Sequence, residues 1–159
     1  ALLGKSIRSQ MLLGLRGVGK TVLLNKIEEM AQSAGHVTSA IEAPEGKALG
    51  ELLAPKVNQA LRKLSASEEA KAKAHQALRA LRSFTSAFKL SYGDVSISVD
   101  PEAGVADSGS MEADLPELFV RVGEAAKAAG KAWTLLIDEV QYLRSDDLAA
   151  LIVSLHKAN

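Results

Sequence analysis

Residues 14–21 read GLRGVGKT, and this stretch constrains the chain more than any other feature. It fits the pattern G-x-x-x-x-G-K-[ST], in which glycines let backbone N–H groups turn inward around an anion where a Cβ would clash. Lys20 would then reach the β- and γ-phosphates of a nucleotide, and the Thr21 hydroxyl would be a ligand of Mg²⁺. The alternative is a glycine turn that fits four fixed positions by chance.

The segments around this loop predict a strand–loop–helix–strand unit. The apolar run Met11–Leu13 predicts a strand, and a helix is expected to begin at Lys20 and to end at Gly35. The β-branched stretch 36–44 predicts a second strand, so the unit should be right-handed and parallel. This context favours phosphate binding over a chance turn. The expected apolar face of the helix consists of Val22, Leu23, Ile27 and Met30.

A second motif, TLLIDE at 134–139, predicts a buried strand that ends in two carboxylates. Open α/β sheets bind ligands at the carboxyl ends of their strands, where Asp138 would emerge. Asp138 could hold Mg²⁺, and Glu139 could accept a proton from an attacking water. A strand that ends in a solvated acidic turn is the alternative.

GLRGVGKT and LLIDEVQYL together resemble the branch of P-loop NTPases that carries an added catalytic glutamate. Within it, the chain is most similar to AAA+ ATPases, especially initiator-like and STAND-type bacterial and archaeal ATP-binding proteins. The resemblance implies an α/β P-loop NTPase three-layer fold with a parallel sheet, ATP and Mg²⁺ as ligands, and Glu139 and Lys20 as catalytic residues. Thr21 and Asp138 are the implied metal ligands. Nucleotide contacts are expected from Gly14, Leu15, Arg16, Gly17, Val18, Gly19, Lys20, Thr21 and Val22.

The family also carries a sensor strand and an arginine finger beyond the second motif, and neither can be placed in this chain. In the family's sheet order the sensor strand lies between the strands of the two motifs, so two apolar strand edges would be left open. We therefore expect residues 1–159 to be the N-terminal part of an ATPase domain, truncated before the sensor strand. This piece should bind nucleotide weakly and hydrolyse it negligibly.

Between Pro44 and Gly130 lies far more chain than a crossover of about a dozen residues needs, which predicts an insertion at about 47–113. Leucines from 49 to 64 predict a helix with a kink or restart at Pro55. A second helix is expected to begin at a capping box of Ser65 and Glu68 and to end near Arg82. Alternation on both sides of Gly93-Asp94 predicts a β-hairpin over 88–99, followed by a loop over 100–113.

Three further elements are expected after the insertion. Asp114 and Glu117 predict a capping box that opens a helix to Ala129, with Gly130 after its end. The stretch AWTLLIDEV predicts a buried strand. Leucine and isoleucine between 148 and 155 recur at helical spacing and predict a last helix.

Charge is distributed unevenly over the insertion, although the formal net charge of the chain is zero. Residues 56–89 hold eight Lys or Arg against two Asp or Glu, and 93–124 hold eight acids against Arg121. A DNA or protein partner could bind through residues 56–99. Two solvated faces that attract each other are the favoured alternative, because the basic segment has no aromatic-studded patch.

The remaining sequence features exclude other classes of protein. No apolar run is long enough to span a bilayer, and the chain has no cysteine for disulfides or thiolate metal sites. We expect a cytoplasmic protein that could form oligomers. His36 and His75 lack a nearby set of metal ligands, and Trp133 and Tyr142 are expected to be packing residues. Arg16 could contact nucleotide or a neighbouring subunit, and a solvated loop residue is the favoured alternative.

The predicted function is Mg²⁺-dependent ATP hydrolysis coupled to DNA or protein remodelling in the full-length protein. The alternative is a slow nucleotide-dependent switch whose output is partner binding. A phosphotransferase acting on a small molecule is a third option, but no substrate pocket can be assigned from the sequence.

Overall fold

The computed structural model describes residues 9–15, 17–65, 67–90 and 99–157. Within these ranges it contains two strands, five α-helices and one short 3-10 helix. The predicted mixed α/β class is confirmed. In chain order the elements are α1 (Lys20–Ser33), β1 (Val37–Glu42), α2 (Leu49–Leu64), α3 (Glu68–Ala87), α4 (Met111–Ala128), β2 (Trp133–Asp138), the 3-10 helix (Val140–Tyr142) and α5 (Ser145–Lys157).

The two strands form a parallel sheet, as predicted. Val37 pairs with Trp133 at one end and Glu42 with Asp138 at the other, so both strands end at the same edge. The expected strand Met11–Leu13 is wrong, because residues 9–15 have no strand hydrogen bonds. A strand needs a neighbour to pair its backbone groups, and among the described residues β1 and β2 pair with each other and with no third strand.

Helices cover both faces of the sheet. Successive side chains of a strand point to opposite faces, and the two neighbouring residues Thr38 and Ser39 contact different helices. The Gln32 Nε2 of α1 donates to Thr38 Oγ1 at 2.9 Å, whereas Ser39 Oγ lies 3.5 Å from the carbonyl oxygen of Lys56 in α2. The molecule therefore has the three layers that the sequence predicts, with α1 on one face and α2 on the other.

The apolar core lies on the α2 side of the sheet. Helix α4 packs against α3 and α5, and α2 packs against α3 and β1. Trp133 packs between the sheet and helix α4. Its ring lies edge-on to that of Phe119, with the ring centroids 5.4 Å apart, and its Nε1 donates to Ser39 Oγ at 3.0 Å. The largest fully buried apolar side chains are Phe84, Leu49, Leu53, Leu61, Leu64, Leu81, Leu115, Leu118, Val57 and Val122.

Helix α1 buries none of its side chains, so its expected apolar face is wrong as a core-facing surface. Val22 is 73% exposed, Met30 64% and Leu23 48%, while Ile27 is half-buried. Polar contacts hold the helix to the sheet instead, including the bond from Thr38 Oγ1 to the Glu28 carboxylate at 2.8 Å. The helix begins at Lys20 and is followed by Gly35 with φ 82°, as predicted.

The predicted helical pair is present, with different ends. Helix α2 runs through Pro55 without a restart. Helix α3 is capped by Ser67, whose Oγ accepts from Ala70 N at 3.2 Å. The expected capping box is wrong, because Ser65 Oγ donates back to the Leu61 carbonyl at 3.0 Å. The helix continues past Arg82 to Ala87, since Ser83, Phe84 and Thr85 are buried.

The expected hairpin is wrong at its first residues and otherwise lies outside the described residues. Phe88 is the C-cap of α3 and packs against Phe84 with the two rings tilted and their centroids 4.8 Å apart, so it begins no strand. Leu90 is half-buried, and a Cβ on Gly50 would lie 2.8 Å from its Cδ1. Residues 91–98 are not described.

The predicted loop before α4 is present, but it ends earlier and is tightly hydrogen-bonded. The helix begins at Met111, so the expected cap at Asp114 is wrong. The Asp114 carboxylate is buried and accepts from Ser108 Oγ at 2.7 Å and from Gly109 N at 2.8 Å. Glu117 likewise accepts from Ala106 N at 2.6 Å. Both acids hold the loop onto the helix; Gly130 (φ 65°) follows the helix end, as predicted.

A buried carboxylate joins the last helix to the start of α2. Asp147 in the first turn of α5 is 1% exposed, and its Oδ2 accepts from the Leu49 amide at 3.0 Å. Ala48 at the N-cap of α2 has no side chain for this purpose, so the cap comes from a residue 98 positions away. Arg144 Nε donates to the same oxygen at 3.1 Å. This bond and the charge of Asp147 raise the pKa of the Arg144 guanidinium.

Candidate functional site

The glycine loop has backbone dihedral angles that favour glycine at two positions. Gly17 and Gly19 have φ values of 84° and 91°, a region that L side chains rarely occupy. A Cβ on Gly14 would lie 2.9 Å from Val18 Cγ2. The loop therefore favours glycine at 17 and 19 through its conformation, before any ligand is considered, whereas a Cβ at 14 would displace only the exposed side chain of Val18.

The loop turns its polar groups toward the start of α1. Lys20 Nζ donates to the carbonyl oxygens of Gly14 and Leu15, each at 3.0 Å. Gly19 is the N-cap and offers no side-chain acceptor to the helix. Within the described ranges, the backbone amides of 19–22 donate to no acceptor. Unpaired amides at the positive end of a helix, next to an ammonium group, are the components of an anion site.

The first turn of α1 meets the end of β2 through one short contact. Thr21 Oγ1 donates to Asp138 Oδ2 at 2.6 Å, although the two residues are 117 positions apart. A hydroxyl and a carboxylate oxygen are hard ligands of the kind that Mg²⁺ takes from protein while its other positions go to water and phosphate. Their chemistry therefore fits a magnesium ion. Nowhere among the described residues, this point included, do three His, Asp or Glu side chains converge in a way that could hold a metal ion by themselves.

Glu139 follows β2 directly and leaves the strand conformation. Its φ of 55° and ψ of 35° are left-handed, and its amide donates to Asp138 Oδ1 at 2.9 Å. The two Asp138 oxygens thus accept from different groups, one from Glu139 and one from Thr21. The Glu139 side chain contacts Gln141, whose Nε2 donates to Glu139 Oε2.

The expected site residues fall into two groups. Five of them are in direct contact: Lys20 with the carbonyl oxygens of Gly14 and Leu15, and Thr21 with Asp138. Glu139 is joined to Asp138 through its backbone amide. The second group consists of Gly17, Val18, Gly19 and Val22, which would offer backbone atoms to a nucleotide; the apolar side chains of Val18 and Val22 are 61% and 73% exposed. Arg16 lies outside the described residues.

Gln141, which contacts Glu139, was not among the residues expected at the site, and no general sequence pattern distinguishes it. Among the lesser candidates, Trp133 is a packing residue as expected, but Tyr142 is 47% exposed and does not pack in the core. His36 Nδ1 lies 3.0 Å from Thr134 Oγ1, and His75 is exposed.

Comparisons with known proteins bear on this geometry. Neither the curated proteins nor the solved structures include a match to the chain. None of the described helices has the length and apolar character needed to cross a membrane. A family model described as an AAA ATPase domain matches residues 2–158, and such a domain implies nucleotide binding with ATP hydrolysis as its general activity. The chain therefore belongs to the AAA ATPase domain family.

Proposed function

We propose that this chain binds ATP with Mg²⁺ between the glycine loop and the carboxyl end of β2, and that the full-length protein hydrolyses it there. The observation that carries the proposal is the contact between Thr21 Oγ1 and Asp138 Oδ2 at 2.6 Å. It brings a loop with phosphate-binding chemistry and a strand-end carboxylate to one point. The two residues are 117 positions apart in the chain, so the contact depends on the fold and not on either motif alone.

Each residue has a separate role in the proposed reaction. The loop amides and Lys20 bind the phosphates, and Lys20 exchanges its bonds to the Gly14 and Leu15 carbonyls for phosphate oxygens. Thr21 and Asp138 hold Mg²⁺, which supplies charge neutralisation at the phosphates when bound. Glu139 orients the attacking water and accepts its proton. Positioning and electrostatics dominate such phosphoryl transfer, so loss of any of these groups should be costly.

The first test is Mg²⁺-dependent ATP binding to the 159-residue chain, measured by calorimetric titration. Thr21→Val removes the hydroxyl and should weaken binding in Mg²⁺ at least tenfold while changing Mg²⁺-free binding little. Thr38→Val is the matched control, because Thr38 also donates to a carboxylate, that of Glu28, which lies about two turns of α1 away from Thr21. Equal binding by the wild type and both variants in Mg²⁺ would refute the assignment of the metal ligands.

The second test is hydrolysis by the full-length protein. Glu139→Gln should bind ATP as the wild type does and lose about 100-fold or more in kcat, because it cannot take the proton of water. A kcat for this variant close to that of the wild type would exclude water activation by Glu139 and favour transfer of phosphate to another acceptor.

We further propose that hydrolysis is coupled to remodelling of DNA or a protein, with a slow nucleotide switch as the second candidate. In the described part of the chain, Arg62, Lys63 and Arg82 are exposed and have no ion-pair partner, which supports a surface for an anionic partner. Lys73, in contrast, pairs with Glu124 across α3 and α4 at 3.2 Å, as expected if the two charged faces attract each other. Strong stimulation of turnover by DNA would favour remodelling, and a flat slow rate would favour the switch.

A further inference from the structure

The segment after β2 fixes the backbone of Glu139 from both sides. Its amide donates to Asp138 Oδ1 at 2.9 Å, and its carbonyl accepts from Tyr142 N at 3.0 Å. The 3-10 helix Val140–Tyr142 therefore turns back over Glu139. Its middle residue is Gln141, which places a side-chain amide beside the Glu139 carboxylate.

Gln141 engages only one oxygen of that carboxylate. Its Nε2 donates to Glu139 Oε2, and no other side chain or amide of the described residues donates to either carboxylate oxygen. Oε1 thus stays available to accept a hydrogen bond from water. A glutamate side chain loses rotamer freedom when it is ordered, so a donor that orders it in advance removes part of that entropic cost from the reaction.

We propose that Gln141 is a positioning residue for Glu139: its amide holds Oε2 so that Oε1 faces the attacking water. The inference rests on the proposed role of Glu139 and adds the group that orients it. Gln141 would orient Glu139 in the way that the third residue of a nucleophile–base–orienting-group site orients the catalytic base. A neutral amide suits this task because it orders the carboxylate without adding a cation beside the metal ligands.

The direct test of the contact needs no turnover. The side-chain NH₂ group of Gln141 should give NMR signals displaced from those of exposed glutamines, with slower rotation, in the 159-residue chain. Glu139→Ala should return these signals to the positions of Gln76, which is exposed on α3 and has no side-chain hydrogen bond in the described structure. Gln141 signals that match Gln76 in the wild type would overturn the proposal.

The test of the role is steady-state ATP hydrolysis by the full-length protein. Gln141→Ala should lower kcat about 5- to 30-fold and leave KM within about twofold, because the interaction orients the base and does not bind nucleotide. Gln141→Glu, which has the same shape but no donor, should lose at least as much. Gln76→Ala is the matched control and should keep the wild-type kcat.

A double variant separates positioning from a structural role. In the Glu139→Gln background, Gln141→Ala should cause no further loss of kcat, since there is no base left to orient. An equal loss in both backgrounds, or a kcat of Gln141→Ala close to that of the wild type, would overturn the role of Gln141 while leaving that of Glu139 intact. Normal turnover by Glu139→Gln, or none by the wild type, would refute the proposed function and this inference with it.

Discussion

The buried carboxylate of Asp147 should be among the most important single side chains for stability outside the apolar core. Asp147→Ala removes the only acceptor of the Leu49 amide among the described residues, at a position where Leu49 is 0% exposed. Leaving a buried donor unpaired costs about 1–3 kcal/mol. Loss of the helix cap, which costs about 1 kcal/mol, is the loss of the same hydrogen bond and is not added to this figure. Arg144 is 61% exposed, so the lost ion pair adds no more than about 1 kcal/mol.

We therefore expect Asp147→Ala to lower the free energy of unfolding by about 2–3 kcal/mol. In urea unfolding followed by circular dichroism, this should move the midpoint down by about 1–2 M at unchanged slope. Asp146→Ala is the control, because Asp146 shares the first turn of α5, and therefore the helix dipole, but is exposed. The reasoning is refuted if the two variants have the same midpoint.

Three further predictions follow from positions where local geometry decides the outcome. Ser67→Ala should cost about 1 kcal/mol of unfolding free energy in urea and Ser65→Ala clearly less, because only Ser67 caps α3; the reverse order would contradict the assigned cap. Gly17→Ala should abolish ATP binding measurable by calorimetry, because the φ of 84° at this position disfavours a side chain. Unchanged affinity would show that binding does not need this loop conformation. Leu61→Ala should lower the free energy of unfolding by about 2–5 kcal/mol, because Leu61 is fully buried. Val22→Ser, at a 73% exposed site, should change the urea midpoint by little, and equal effects of the two substitutions would contradict the assigned burial.

Local signals were sufficient for the presence of the helices and of β1 and β2, although not for every helix end. The start of α1 at Lys20 and its end before Gly35 follow from the glycine pattern and the helix-stop rule, and both are observed. The parallel sheet followed from two β-branched or apolar stretches of strand length. The proximity of Thr21 and Asp138 was also expected, because the loop and the strand end belong at the same edge of such a sheet.

The errors arise where a structure depends on distant residues. Met11–Leu13 has the composition of a strand, but pairing requires a neighbour, and the sheet offers none at that place. Ser65 was the expected cap of α3, but its hydroxyl donates to the Leu61 carbonyl and the cap is Ser67. The bond between Asp147 and the Leu49 amide spans 98 positions and leaves no local trace. Gln141 was missed because a single glutamine after a motif matches no general pattern.

Helix α1 has no buried residue, so its local stability should respond to ligand binding more than that of the core helices. None of its fourteen residues is buried, and short polar contacts such as that of Thr21 with Asp138 hold it to the sheet. In hydrogen exchange, its amides should therefore open at a lower free energy than those of α2 or α4, which lie in the core. A nucleotide with Mg²⁺ that bridges the loop and β2 would bind only the docked helix and would slow its exchange by mass action. The P-loop helix would then act as the sensor of occupancy, with protection rising in α1 and unchanged in the core.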